Sequence, residues 1–318
     1  MSALADPRAA DRQSPGRLAR WLRAAVPSGR TVVIAAPFVF LLVFFMLPFA
    51  AVLKISFSDV QMSVPPYTPI ADLKDGVLRI VLNFAHYGEV LSNPLYISAY
   101  AYSLEVAGLT TLICLLIGYP ACYLIARADP ARRNLLIMAV MLPFWTSYLI
   151  RVYAWIGLLK NQGLINSFLL WAHLIDEPLK LYHNNYGLLI GMVYNYLPYL
   201  MLPLYAQLVK MDLTLLEAAG NLGARPWQAF LTITLPLSRR AIISSSLLVF
   251  IPAVGEYVIP EILGGSNSLM VGRVMYDDFF VNADWPTASA ATGLMVLLLL
   301  VPMAVFQYYQ VKELESAK

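Results

Sequence analysis

Six stretches of this 318-residue chain are apolar over at least 22 residues each, at about 32–53, 98–126, 134–159, 187–209, 241–262 and 286–309. A helix of roughly 20 residues crosses the ~30 Å hydrocarbon core of a bilayer. Inside that core the backbone must satisfy its own hydrogen bonds, so only helices and closed barrels are admissible. Weak alternation and many interrupting prolines argue against a barrel, leaving an all-α membrane protein with six transmembrane helices. The composition agrees: 59% of residues are hydrophobic and 13% charged, where a soluble domain would carry about a quarter charged. The same numbers exclude a disordered chain.

Orientation follows from where the charges lie. Arg8, Arg12, Arg17, Arg20, Arg23 and Arg30 precede the first apolar run, which is longer than the apolar core of a signal peptide. With that end inside, alternation places 15 Lys and Arg residues on the inner side and six on the outer side. The positive-inside rule then predicts that both termini are cytoplasmic. Ten acids fall outside, among them Asp72, Glu261, Asp277, Asp278 and Asp284, a bias that would attract cations or a basic partner. The net charge of +3 is too small to point to nucleic acid.

Cys114 and Cys122 lie eight residues apart in one apolar run, about 12 Å along a helix, and cannot bridge each other. The three histidines show no metal-ligand spacing, so no metal site is expected. Prolines 37, 48, 120, 143, 198, 203, 252 and 302 interrupt the spans and invite kinks.

The cytoplasmic segment between the fourth and fifth spans, residues 210–240, carries legible helix punctuation. Thr214 with Glu217 reads as a capping box opening a short helix through Leu222. Gly223 is placed to end it in a left-handed conformation, and Pro226 to begin a second helix. Pro236 and Ser238 read as the turn into span five. Leu215, Leu216, Leu222, Trp227 and Phe230 would be exposed on this elbow unless something covers them: they pack under the bundle, lie at the membrane interface, or form a docking element.

Within that segment, Glu217-Ala218-Ala219, Gly223, Ile233 and Leu235-Pro236 keep the spacing EAA, three residues, G, nine residues, I-x-L-P. This resembles the EAA loop of bacterial ABC-importer permeases. The similarity extends through Leu142-Pro143-Phe144-Trp145-Thr146-Ser147-Tyr148, Arg151-Val152-Tyr153-Ala154-Trp155, the run from Phe250 to Glu261, Gly264-Gly265 and Asp284-Trp285-Pro286, which are similar to polyamine, putrescine-type permeases. The resemblance implies a type I ABC importer permease fold in the inner membrane, importing polyamine and preferring putrescine. It implies a basic cytoplasmic tail at 1–31, a permease domain at 32–309 with coupling loop 210–240, and a C-terminal tail at 310–318. It also implies partners: a second, related permease, two ATPase subunits and a periplasmic polyamine-binding protein, all set in membrane lipid. No G-x-x-x-x-G-K-[ST] occurs in the chain, so it cannot cradle ATP phosphates in a Walker loop; no cofactor is expected in this chain, and ATP with Mg is expected in the partner ATPase.

Glu105, Arg151 and Glu256 are charged residues lying well inside the spans. Each sits about 9 to 12 Å in from the outer end, at 1.5 Å per residue. Charges at that depth face a partner or a watery path. Arg151 and Glu256 are thus either a structural ion pair or part of a substrate path in which a carboxylate meets an ammonium. Trp145, Tyr148, Tyr153, Trp155 and Tyr257 lie near the same level and would add cation–π attraction. Glu105 belongs to no motif of the resemblance.

Other readings stay open. The same machinery serves other amines, opines, thiamine or ferric iron in related permeases. An ion-driven secondary transporter would tolerate the internal charges, but no inverted repeat is visible. An intramembrane enzyme would need a motif such as H-E-x-x-H or G-x-S-x-G, and the chain has neither.

Overall fold

The computed structural model describes residues 29–74 and 77–316; the tail arginines Arg8, Arg12, Arg17, Arg20 and Arg23, together with Lys318, lie outside them. The chain divides into two units at residue 54. The first is the helix α1, Gly29–Leu41 continuing through a π-turn at Leu42–Met46 into Leu47–Ile55. Its segment Val33–Ile55 has the length and hydropathy of a membrane span. Phe rings pair along it, Phe40 with Phe44 and Phe45 with Phe49.

The second unit opens with a short hairpin, β1 (Ala71–Lys74) antiparallel to β2 (Val77–Ile80), pairing Ala71 with Ile80 and Lys74 with Val77. Helix α2 (Ala85–Ser92) follows, then α3 (Pro94–Arg127), 34 residues long. At 1.5 Å per residue α3 is about 50 Å long. Asn93 caps it by accepting the Leu95 N–H, with Pro94 preset for the first turn.

The core forms where α3 packs on α7 (Asn185–Leu208) and α9 (Pro226–Val254), which also pack on each other. Small residues make this close approach possible. Cys114, Gly118 and Cys122 recur every fourth residue on α3, and the two thiols donate to the carbonyls of Val193 and Met201 on α7. Tyr119 of α3 bonds Ser238 of α9 at 2.8 Å. Leu188, Met192, Leu200, Leu204, Val249 and Val254 are fully buried between these helices.

Span three is not one helix. It runs as α4 (Pro130–Met141), a 3-10 turn at Leu142–Trp145, α5 (Tyr148–Leu159) and α6 (Leu164–Trp171), with a bend of 92° between Trp145 and Tyr148. The continuous span expected at 134–159 is therefore broken. Pro143 lacks the amide that would continue the helix, and Thr146 and Ser147 are extended, with ψ of 151° and 138°.

Span five also differs from expectation. Its helix begins at Pro226, far below 241, and stops at Val254 rather than 262. Pro236 does not mark a turn. A π-turn at Phe230–Thr234 precedes it, closed by the Leu235 N–H on the Phe230 carbonyl. The wider turn makes room for a proline ring that would collide with an α-helical carbonyl four residues back. Beyond Val254 come α10 (Val258–Leu263), α11 (Val271–Tyr276) with a π-turn at Asp277–Val281, and α12 (Trp285–Ser316). Among the described residues five helices are thus long and apolar enough to cross a membrane, six if the bent pair counts as one span.

The elbow at residues 210–240 is close to its sequence reading at Gly223 and Pro226, and its first cap is a further correction. Helix α8 is Thr214–Asn221, and Thr214 is already helical, so the expected capping box with Glu217 does not form. Asp212 caps the helix instead, its carboxylate accepting the Thr214 N–H at 3.0 Å. At the other end Gly223 has φ +86°, and its N–H and that of Ala224 bond back to Gly220 and Ala219. This is the paired arrangement of a glycine helix stop, which a side chain at 223 would strain.

The backbone N–H and then the hydroxyl of Thr214 hold the Asp212 carboxyl below the usual carboxylate range. A depressed carboxylate contributes at neutral pH and its contribution fades as pH falls through its lowered pKa. Asp212→Ala should therefore raise hydrogen exchange at the Thr214 amide several-fold at neutral pH while leaving α7 and α9 protected. Equal exchange in the two proteins would show that this cap does not hold the first turn of α8.

Candidate functional site

Glu256 sits, half-buried, where the chain leaves α9 and enters α10. Its Oε1 accepts the Tyr257 and Val258 N–H groups at 3.1 and 3.0 Å, which are the amides left unpaired at the start of α10. Oε1 also takes the Tyr148 hydroxyl at 2.9 Å, and Oε2 takes the Tyr196 hydroxyl at 2.6 Å. Gly272 allows the close approach on the other side, since a Cβ there would collide with the carbonyls of Gly255 and Glu256. All four donors are neutral. They orient the carboxylate without cancelling its charge.

Arg151 does not pair with Glu256, so the structural ion pair considered from the sequence does not form. Its Nη1 donates instead to the Pro143 carbonyl at 3.0 Å, and the guanidinium lies 5.2 Å from the Phe144 ring and 6.0 Å from that of Tyr148. Phe144 meets Tyr199 edge-on at 4.9 Å, and Tyr199 lies 5.9 Å from Tyr196. Arg151, Phe144, Tyr199, Tyr196, Glu256 and Tyr148 thus form a closed circuit. It links α5, α7 and both helix breaks.

Of the other sequence candidates, Tyr257 stacks on Tyr276 at 4.0 Å, beside the carboxylate. Trp145 is 78% exposed and Tyr153 is exposed as well, so neither joins the circuit, and Trp155 packs edge-on against Tyr194. Glu105 is exposed on α3. Tyr196, Tyr199, Phe144 and Tyr276 were missed; the run Asn195-Tyr196-Leu197-Pro198-Tyr199, polar in the middle of a span, is the signal that marks the first two. Among the acids expected on the outer side, Asp278 is buried and spends its oxygens on Tyr96 and Asn282, while Glu261 pairs with Arg273 at 2.7 Å.

On the elbow, Glu217 and Ala218 are exposed, as are Leu215, Leu222 and Trp227, the last at 58%. Phe230 is not part of that surface. It packs edge-on against Tyr119 and Tyr123 of α3, so the second elbow helix is anchored to the bundle while the first is left accessible. Ile233 is half-buried, and Leu235 and Pro236 lie on the outside of α9.

Residues 136–316, more than half of the chain, match the family of binding-protein-dependent transport system inner membrane components. The chain belongs to that family. Like other binding-protein-dependent inner membrane components, it is a transport subunit rather than an enzyme. It is 40% identical over 229 residues to the spermidine/putrescine transport system permease protein PotB of Haemophilus influenzae, covering 72% of this chain and 79% of the relative. With PotB of Escherichia coli it shares 35% identity over 241 residues, 76% of this chain and 86% of the relative. The inner membrane ABC transporter permease protein YdcU of E. coli is 28% identical, with 78% of each chain covered. The fold matches a chain of a bacterial ABC transporter involved in alginate import, at a TM-score of 0.61 and 18% identity over 93% of this chain and 99% of that one. A chain of the MetNI methionine ABC transporter matches at a TM-score of 0.51 and 15% identity, over 69% of this chain and 97% of that one. The all-α, type I importer permease fold expected from the sequence is therefore the one observed.

The Tyr196 bond is the shortest on the carboxylate, and hydrogen bonds to charged groups contribute about 1.5–3 kcal/mol. Tyr196→Phe in this inner membrane component should lower the stability of the assembled transporter by about that amount, while Tyr153→Phe, at an exposed position, changes nothing. Thermal unfolding of the detergent-purified complex measures both, and equal melting for the two variants would contradict the arrangement.

Proposed function

We propose that this chain is the permease subunit of an ATP-driven importer that moves polyamine, with putrescine preferred, from periplasm to cytoplasm by alternating access, with both termini cytoplasmic. The observation that carries the substrate class is the Glu256 carboxylate, held by neutral donors beside stacked tyrosines. A carboxylate offers about four lone-pair positions. Three donors crowd Oε1 and one serves Oε2, so Oε2 keeps acceptor capacity for an ammonium N–H, and a tyrosine hydroxyl is displaced at lower cost than a backbone amide would be. The rings of Tyr148, Tyr196 and the Tyr257–Tyr276 stack offer cation–π contact to the methylene-linked ammonium of a diamine. The names of the PotB relatives agree with this reading.

In the same reading the partners are a second, related permease, two ATPase subunits binding ATP and Mg, and a periplasmic polyamine-binding protein. The coupling surface is Glu217, Ala218, Ala219 and Gly223, continued by Ile233, Leu235 and Pro236. Ala218 and Ala219 are small enough for an ATPase groove to approach closely. The exposed apolar groups of Leu215, Leu222 and Trp227 supply area to bury. ATP-driven closure shifts the bundle only through contacts that differ between the two states, and the elbow is continuous with α9.

Two experiments test this. In proteoliposomes holding the whole complex, Glu256→Gln should cut putrescine uptake by about tenfold or more, the scale of one lost charge-assisted contact, while the complex stays assembled. Full uptake by a stable Glu256→Gln complex would remove the carboxylate from the path. Gly223→Asp should leave the spans inserted but release the ATPase or separate hydrolysis from uptake. Wild-type ATPase retention, stimulated hydrolysis and uptake in that variant would refute the coupling assignment. Competition by spermidine, an opine, thiamine and ferric iron ranks the substrates.

A further inference from the structure

We infer that Arg151 is a positioning residue for transport: it fixes the bend of the broken third span and so aims Tyr148 at Glu256. The inference deepens the polyamine reading and rests on it for the role of Glu256. Its own basis is the geometry of the bend. The Pro143 carbonyl lies in the turn just before the break, and it receives three donors: the Thr146 N–H at 3.3 Å, the Thr146 hydroxyl at 2.7 Å and Arg151 Nη1 at 3.0 Å. The first two come from Thr146, within the break itself, and are local. Arg151 alone comes from the far side, one turn into α5.

The guanidinium therefore closes the 92° angle as a strut, with Pro143 and Phe144 on one arm and Tyr148 on the other. A charge at this depth needs a reason to be there, because uncompensated guanidinium is costly in a span. The buried Nε has no partner, so Arg151 is not placed to maximise its own bonding. What its position does secure is the direction of Tyr148, which leaves the first turn of α5 toward Glu256 Oε1. Binding the carbonyl also keeps Arg151 off the carboxylate, which would otherwise lose its charge to an internal cation. Lysine could donate to the same carbonyl but has no planar face for the two rings.

The test uses the complete complex in proteoliposomes, with spin labels at Leu135→Cys on α4 and Gly157→Cys on α5. Both positions are exposed, a side chain at 157 meets nothing within 4 Å, and the native cysteines are buried. Arg151→Met should broaden the distance distribution across the bend. It should raise the half-saturating putrescine concentration about tenfold, as for one lost charge-assisted bond, with a smaller effect on the maximal rate. Tyr148→Phe should raise it similarly, and the double variant no further. Arg151→Lys should restore most of the narrow distribution and assembles even if the methionine variant does not. An unchanged distribution in Arg151→Met, no rescue by lysine, or additive effects of the two substitutions would overturn the inference. If Glu256→Gln leaves putrescine affinity unchanged, the polyamine reading of that carboxylate fails, while the label distance still decides the role of Arg151.

Discussion

A helix surrounded by hydrocarbon can stop only where something replaces the hydrogen bonds it gives up. In this chain Glu256 does so for the start of α10, by taking the amides of Tyr257 and Val258 onto one oxygen. The Pro143 carbonyl plays the corresponding part at the break in span three, where it collects Thr146 and Arg151. Without these two groups the interruptions would cost several kcal/mol per orphaned backbone group. The irregular backbone that gives the fold its interior depends on both.

The two breaks are tied to each other by the Tyr148–Glu256 bond, and α7 is drawn in through Tyr196 and Tyr199. At its other end α9 carries the elbow. One helix therefore runs from Pro226 to Val254, 29 residues, from the exposed Trp227 surface to the residue just before the Gly255–Glu256 corner. At 1.5 Å per residue that is a lever of about 43 Å. Phe230, held edge-on between Tyr119 and Tyr123, is the point where the lever bears on α3.

How much of this the sequence discloses depends on the range of the interaction. The spans, the elbow and the left-handed Gly223 are local matters of hydropathy and backbone preference, and they were readable. The loss of the Thr214 capping box to Asp212 is a shift of one residue in where the helix begins, below the resolution of pattern reading. The pairing of β1 with β2 joins two segments of four residues each, too short for hydropathy alternation to declare. The broken spans were misread because Pro143 and Pro252 look alike in sequence. Pro252 stays within a helix and Pro143 sits at a 92° bend, and the difference lies in Arg151 and Tyr148, whose partners are set by tertiary structure. Glu256 stands out in the sequence as a charge within a span, but its neighbours Tyr196 and Tyr199 lie some 60 residues away in sequence, and only packing brings them in.

The π-turn at Phe230–Thr234 has a geometric consequence for the helix that contains it. Each residue of an α-helix turns the direction of the side chain by about 100°, and a π-turn absorbs one residue more than an α-turn would. The side of α9 that points outward at Trp227 is thus out of phase, by about one residue's rotation, with the side it would present higher up in an unbroken helix. The helix behaves as a shaft with an angular offset cut into it: an axial displacement passes straight through, while the faces at its two ends are chosen independently. The lower face can be shaped for a protein surface and the upper one for the interior of the bundle, so neither end has to compromise its residues for the other.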